Sequence, residues 1–336
     1  MLPAPAATAV PRHRGFHTLA YAHGRSLVDL LPTRTRAKTA AVLLLSTICC
    51  LSILLHLRTH VHSASTQEYL PRSQTANVLL STIRRHRNLT NVNHLVLVPC
   101  HAIWKGVEAA SRLDEENWIL EPYQKGLGRV NVFLEHIIQG SSNLAISDAR
   151  SLLVFSGGQT KSSSTFTESE SYLRLALSAG LLEKSVLERT TTENHALDSY
   201  QNLLFSIARF HEYTGVYPKH ITVVGYQFKQ ARFTDLHRRA LRWPTDNFRY
   251  IGIDPDEDEQ ASRSSKDGEL QNGYMPYSED PYGCHSFLLI KRRRRNPFSR
   301  YHSYYTSAQE LASLLDWCPD SGELDDSIFP GPLPWH

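Results

Sequence analysis

The sequence predicts an α/β domain on a doubly wound, mostly parallel sheet, preceded by one N-terminal transmembrane helix. Three observations predict it. From residue 94 onward, short runs rich in Val, Ile and Leu alternate with helical patterns, as in strands buried on both faces and joined by crossover helices. Residues 39–57 contain no Asp, Glu, Lys or Arg. Apolar residues make up 41% of the 336-residue chain, enough for a packed core, which excludes global disorder.

The first segment, 1–38, is a basic tail. It holds Arg12, Arg14, Arg25, Arg34, Arg36 and Lys38 against Asp29 alone. That is +5, and the chain total of +3 leaves the other residues at −2. A nucleic-acid-binding domain carries its basicity in the fold, so this distribution argues against one. The run 39–57 would span about 28 Å as a helix, close to the hydrocarbon core of a bilayer. The flanking Arg34, Arg36 and Lys38 place the N-terminus in the cytosol and the large C-terminal part across the membrane. This implies the secretory pathway, ER or Golgi, and the sequon Asn88-Leu89-Thr90 points the same way. A mitochondrial membrane is the alternative, because the tail is Arg-rich and acid-poor. Residues 58–92 are polar and read as a stalk, with a short helix at 75–86.

The core is expected over 94–253. Strands are expected at His94–Pro99, Ser151–Ser156, Ser185–Glu188, His220–Gly225 and Phe248–Ile253, and helices at 126–139, 167–179, 198–213 and 229–241. Residues 254–318 are expected to complete the same domain with an acidic loop over 254–283, the basic run Lys291–Arg295 and a final helix near 307–317. Residues 319–336 form a tail. The five cysteines, at 49, 50, 100, 284 and 318, are too sparse for a disulfide scaffold and form no C-x-x-C pair. Pairing among Cys100, Cys284 and Cys318 stays open.

Ligands of open α/β sheets lie beyond the C-terminal strand ends, and polar residues gather at those ends here. The first strand ends in Pro99-Cys100-His101. A nucleophilic thiol is one reading of Cys100; a small buried side chain beside a loop histidine is the preferred one, since neighbours on an extended chain point apart. The second ends in Ser156-Gly157-Gly158-Gln159-Thr160, whose glycines suit a positive φ and backbone amides turned to an anion. Thr165…Glu168 and Thr167…Glu170 both fit a capping box at the next helix, and the two carboxylates also suit acid/base work. After the third strand come Glu193 and then Asp198…Gln201, again a capping pattern. Asp198 and Asn202 share a face opposite Leu203, Leu204 and Ile207. After the fourth strand, Lys229 and Arg232 are i, i+3 at a helix start, where two cations suit a phosphate or carboxylate. The run Lys291–Arg295 reads as a solvated charge run that pairs with the acidic loop.

The order of VLVPCHA, FSGGQT, TESESY, E-x-x-A-x-D-S-Y-Q-N and FKQARF resembles the domain of unknown function 218 family, the SanA/YdcF-like group, over residues 94–318. DPYGCHSFLLIKRRRRNPFSR resembles the C-terminal extension of its fungal and plant-type branch. The resemblance implies a Rossmann-like fold, a membrane anchor in bacterial relatives linked to envelope functions, and a nucleotide-like ligand, S-adenosylmethionine among the options. Gly157, Gly158, Glu168, Glu193, Asp198, Ser199, Asn202 and Arg232 match the family's motifs. Ser169, Gln201, Lys229 and Cys100 depart from its usual Ala, Glu, His and Gly.

These readings combine into a membrane-anchored domain that binds a small anionic, nucleotide-like or phosphorylated ligand, as a transferase or a hydrolase. Glu168, Glu193 and Asp198 are the candidate acid/base groups. Pro99, His101, Gly157, Gly158, Ser199, Asn202, Lys229 and Arg232 are the candidate ligand contacts. The competing reading is a non-catalytic, membrane-tethered interaction factor of the envelope or secretory pathway.

Overall fold

A computed structural model describes residues 33–64, 80–85, 89–256, 258–320 and 328–336, with side chains of the first segment described over 38–54. The basic tail up to residue 32, most of the stalk and Asn88 of the sequon lie outside the described residues. The chain forms two compact units, 1–67 and 68–336.

The first unit contains one helix, α1 (Thr33–Ala64). Its large apolar side chains are exposed, Val42 at 65% and Leu54 at 61% among them. Ser46 and Thr47 donate their hydroxyls to the carbonyls of Leu43 and Leu44 within the helix. Among the described residues no helix is long and apolar enough to cross a membrane. The described side chains of α1 end at Leu54, inside the apolar run 39–57.

The second unit is built on β1 (His94–Pro99), which pairs in parallel with β4 (Ser151–Ser156) on one side and β6 (His220–Gly225) on the other. β5 (Thr190–Glu193) and β7 (Phe248–Gly252) complete a five-stranded sheet in the order β5-β4-β1-β6-β7. Counted within the sheet this is 3-2-1-4-5, the doubly wound order. The alternation of β1 shows why both faces are covered. Leu95 and Leu97 enter one core with Leu152, Val154, Ile221 and Val223. Val96 and Val98 enter the other with Leu153, Phe155 and Val224. A one-residue slip of register would exchange the two sets.

Helices α2 (Arg129–Ile138) and α3 (Glu168–Ser178) cover the second face through Val130, Phe133, Ile137, Tyr172 and Leu175. Helix α5 (Ser199–Thr214) covers the first through Leu203, Ile207 and Phe210. A small antiparallel pair, β2 (Ile103–Trp104) and β3 (Trp118–Ile119), lies between β1 and α2 and packs Trp118 on Phe133.

Four expectations are corrected. Residues 184–187 form a helical turn, α4 (Lys184–Leu187), and the third sheet strand is β5, five residues later. Its sequence, Thr-Thr-Thr-Glu, lacks the apolar run that marks the other strands, but β-branched threonines suit an edge position. The segment 229–241 is not one regular α-helix: a 3-10 turn (Gln227–Lys229) and a π-type turn (Arg232–His237) lead into α6 (Arg238–Ala240). Residues 254–283 are largely helical, with α7 (Glu259–Glu269), capped by Asp258 accepting from the Ala261 amide, and α8 (Met275–Glu279). The run Lys291–Arg295 ends α9 (Ser286–Arg294), which packs into the molecule through buried Leu288. The chain then closes with α10 (Tyr304–Ser307) and α11 (Ala312–Leu315).

Cys284 and Cys318 form a disulfide across 34 residues, closing the segment that carries α9; Cys100 is free and buried. On the loop-entropy estimate such a link contributes about 3–4 kcal/mol. Cys284→Ser is therefore expected to lose about that much in urea unfolding, and the parent chain under thiol reductant to lose the same; equal stabilities would show the link unformed.

Candidate ligand cleft

In the order β5-β4-β1-β6-β7 the chain reverses direction across the sheet between β1 and β6. The crevice at the C-terminal ends of those two strands is where this topology forms a site. A cleft of about 1210 Å³ opens there. It takes Pro99, Cys100 and His101 from the end of β1, Asp198, Ser199 and Asn202 from the start of α5, and Tyr226, Phe228, Lys229 and Arg232 beyond β6. The C-terminal extension supplies the opposite wall with α7 and α9.

Aromatic rings line one side. Tyr226 stacks on Phe228 at 4.7 Å and meets the His101 ring at 4.9 Å, tilted by 30°. Arg129 lies 5.5 Å above the Tyr226 ring, and the Lys229 ammonium lies 4.9 Å from it. Arg129 also donates to Ser265 of α7 at 2.7 Å. Desolvation, with the Lys229 charge next, pushes the His101 pKa well below the ordinary histidine range. The imidazole is therefore neutral, and its Nε2 is buried without a hydrogen-bond partner among the described residues.

Cations dominate the charge. Lys229 forms no ion pair within 4 Å among the described residues; burial, with Arg232 beside it, lowers its pKa to about 7. Lys291 of α9 is lowered to about 8 by burial and by Arg232 and Arg295. Lys291 donates to the Asn272 carbonyl at 3.1 Å. Arg232 is 7% exposed and pairs with Glu269 of α7 at 3.1 Å.

The three carboxylates expected to work as acid/base groups are each held by the protein. Asp198 caps α5 by accepting from the Gln201 amide at 2.9 Å, and Arg292 donates to its other oxygen at 2.5 Å. Burial alone would raise Asp198, but the Arg292 charge and hydrogen bond outweigh it and hold the pKa at about 2. Glu168 accepts from Thr160 and from Arg295, the latter at 3.2 Å. Of the two capping boxes read in the sequence, Thr167…Glu170 forms, with Thr167 accepting from the Glu170 amide at 3.0 Å. Glu193 accepts from Ser156, Tyr304 and the amides of His195 and Ala196, between 2.7 and 3.2 Å. Burial raises its pKa, and those four donors oppose the rise.

Seven of the expected site residues therefore line the cleft: Pro99, His101, Asp198, Ser199, Asn202, Lys229 and Arg232. Glu168, Glu193, Gly157 and Gly158 lie behind its wall. The two glycines lack a positive φ, and their amides are already bonded to the carbonyls of Glu193 and Ala196. They are glycine for packing: a Cβ would sit 2.8 Å from Glu168 Oε2 at position 157 and 2.7 Å from the Ala196 carbonyl at position 158. Neither amide can cradle an anion. Cys100 is 3% exposed, and burial with the Glu168 charge raises its pKa well above the usual thiol value, as expected of a packed side chain. The basic run is not a solvated stripe paired with 254–259: Arg292 and Arg295 reach Asp198 and Glu168, while Lys291 and Arg294 line the cleft. Sequence reasoning missed these residues and Glu269. No local signal singled them out: all five residues of 291–295 are basic, so the sequence marks no one helix face of the run as the face toward the cleft.

No family model matches the chain, and no solved structure matches it. The "uncharacterized protein YOR238W" of Saccharomyces cerevisiae is 30% identical over 292 residues, an alignment covering 72% of this chain and 96% of the yeast protein. The chain belongs to the same family as that yeast protein.

The Arg292–Asp198 pair has a direct consequence. Arg292→Ala leaves Asp198, 5% exposed in its side chain, as an unpaired buried carboxylate, which costs about 3–5 kcal/mol. Urea unfolding is expected to show that loss at pH 7, with part of it recovered in Arg292→Ala/Asp198→Asn. Because Asp198 is depressed from 3.8 to about 2, the pair's contribution is full above the unfolded value and disappears as pH falls through 2.

Proposed function

We propose that the domain binds a small anionic ligand of nucleotide-like build in the cleft between β1 and β6. The observation that carries this is Lys229: an ammonium held against Tyr226 beside Arg232, with no carboxylate within ion-pair distance among the described residues. Desolvating a cation without a partner is costly, and a bound anion would repay that cost. Arg232 and Lys291 add charge, and the Tyr226–Phe228 stack offers an apolar ring surface to a base. S-adenosylmethionine, which carries a sulfonium and a single carboxylate, suits this cationic cleft less well than a phosphorylated nucleotide. The motif resemblance to the domain of unknown function 218 family supports the same kind of ligand.

We read α1 as a membrane anchor. The support is the exposed apolar surface of its described part, with Ser46 and Thr47 satisfied inside the helix as bilayer residence requires. The flanking charges place the domain on the non-cytosolic side, and the Cys284–Cys318 disulfide is in keeping with an oxidising compartment of the secretory pathway. One observation favours a second reading, a tethered factor that holds its ligand without transforming it: Glu168, Glu193 and Asp198 are all occupied by protein donors. Recovery of the bound compound unchanged after prolonged incubation would support that factor, and product formation would support a transferase or hydrolase.

Binding an anion raises the Lys229 pKa from about 7, so binding takes up a proton wherever free Lys229 is deprotonated. Affinity for ADP is therefore expected to fall as pH rises from 7 to 9. Lys229→Met is expected to bind weakly with a flat pH profile. Calorimetry in two buffers of different ionisation enthalpy measures both. An affinity independent of pH and of Lys229 would defeat the reading.

A further inference from the structure

The C-terminal extension contributes more positive charge to the cleft than it neutralises. On α9, Lys291, Arg294 and Arg295 recur at i, i+3 and i+4 and all line the cleft. Arg292, which does not line the cleft, pairs with Asp198 in its wall. From 291 to 295 the helix rises about 6 Å, a little more than one turn. Arg295 is matched by Glu168, Arg232 by Glu269 and Lys161 by Glu121. Lys229, Lys291 and Arg294 have no carboxylate within 4 Å among the described residues; of the other charged lining residues, Arg129 donates to Ser265 and Asp258 caps α7, and their opposite charges offset in the total. Two of these three come from α9 and one from the turn after β6. The helix dipole favours cations at the last turn of α9, but it does not select the face toward the cavity.

A phosphate monoester brings about −1.5 to −2, less than three uncompensated cations on two walls call for. Two linked phosphate groups bring about −3 or more, which matches them. We infer, building on the anion-binding reading above, that the ligand is a diphosphate ester and that α9 supplies the cations for its second phosphate. Lys229 and Arg232 hold one phosphate and Lys291 and Arg294 the other. The C-terminal extension is thereby part of the site and sets its preference for diphosphate over monophosphate.

The test is calorimetric titration of the full chain with inorganic phosphate and with pyrophosphate at one ionic strength. The parent is compared with Lys291→Gln/Arg294→Gln and with Arg293→Gln, an exposed change on the same helix outside the cleft. Pyrophosphate is expected to bind tenfold or more tighter than phosphate. The double variant should erase that advantage with little change in phosphate affinity, and Arg293→Gln should keep it. Far-ultraviolet circular dichroism and the unfolding midpoint confirm that each variant folds. Equal affinities for phosphate and pyrophosphate in the parent would overturn the diphosphate inference while leaving the anion site standing. Equal weakening of both by the double variant would overturn the role of α9. Binding of neither would overturn the anion-binding reading itself. ADP and geranyl diphosphate, run beside pyrophosphate, separate the two sources of a diphosphate. A gain over pyrophosphate by either supports the inference and identifies the group on the far side.

Discussion

Charges buried at the C-terminal edge of the sheet must be paired, and this constraint organises the rest of the second unit. Asp198 caps α5 and Glu168 opens α3, so both carboxylates are fixed by the helices that cover the sheet. Neither can stay in a dry position without a cation. Arg292 and Arg295 meet that requirement from one helix, α9, more than 90 residues along the chain. The extension must therefore cross the strand ends, and its crossing adds a wall to the crevice through α7 and α9. The disulfide Cys284–Cys318 holds the same segment closed on itself, and Leu288 anchors it in the core.

The same packing leaves a cationic surplus where the extension meets the turn after β6. Three nearby carboxylates are taken by neighbours, Glu269 by Arg232, Glu168 by Arg295 and Asp198 by Arg292, and Asp258 caps α7. Lys229 is left against aromatic rings with its pKa near neutrality. A group that titrates near 7 beside a neutral imidazole, His101, is equipped to move a proton as well as to hold an anion. On the proposed anion-binding reading, the chemistry of the site would rest on nitrogen bases and cations, while Glu168, Glu193 and Asp198 are held by protein donors in its walls.

The sheet was legible in the sequence wherever burial leaves a pattern. His94–Pro99, Ser151–Ser156 and His220–Gly225 are continuous apolar runs, and the structure places them as the three inner strands. The third strand was displaced because Thr190–Glu193 lies at the edge and hides its β character in threonines. Helix α7 was read as a loop because its sequence is mostly Ser, Gly, Lys, Asp and Glu. Its stop signals are strong, and the small residues that line the cleft carry no hydrophobic stripe. For the site, Asp198, Ser199, Asn202, Lys229 and Arg232 could be placed because topology alone sends the segments after strands to one edge. Arg292 and Arg295 could not, since nothing local distinguishes an arginine that will meet a buried carboxylate from one in water. Gly157 and Gly158 were assigned to a ligand because close approach of a glycine backbone looks the same whether the neighbour is a phosphate or the Ala196 carbonyl.

The most direct test of the account is the protonation of Lys229 itself. Protein labelled with 13C at the lysine ε-carbon would be titrated by NMR, with Lys229→Met to assign the resonance. A resonance that titrates near 7, is lost in the variant and moves upward when ADP is added is expected. A Lys229 that titrates near 10.4, the ordinary lysine value, and ignores ADP would contradict the claim that this cleft holds a half-buried cation, without a carboxylate partner among the described residues, for an anionic ligand.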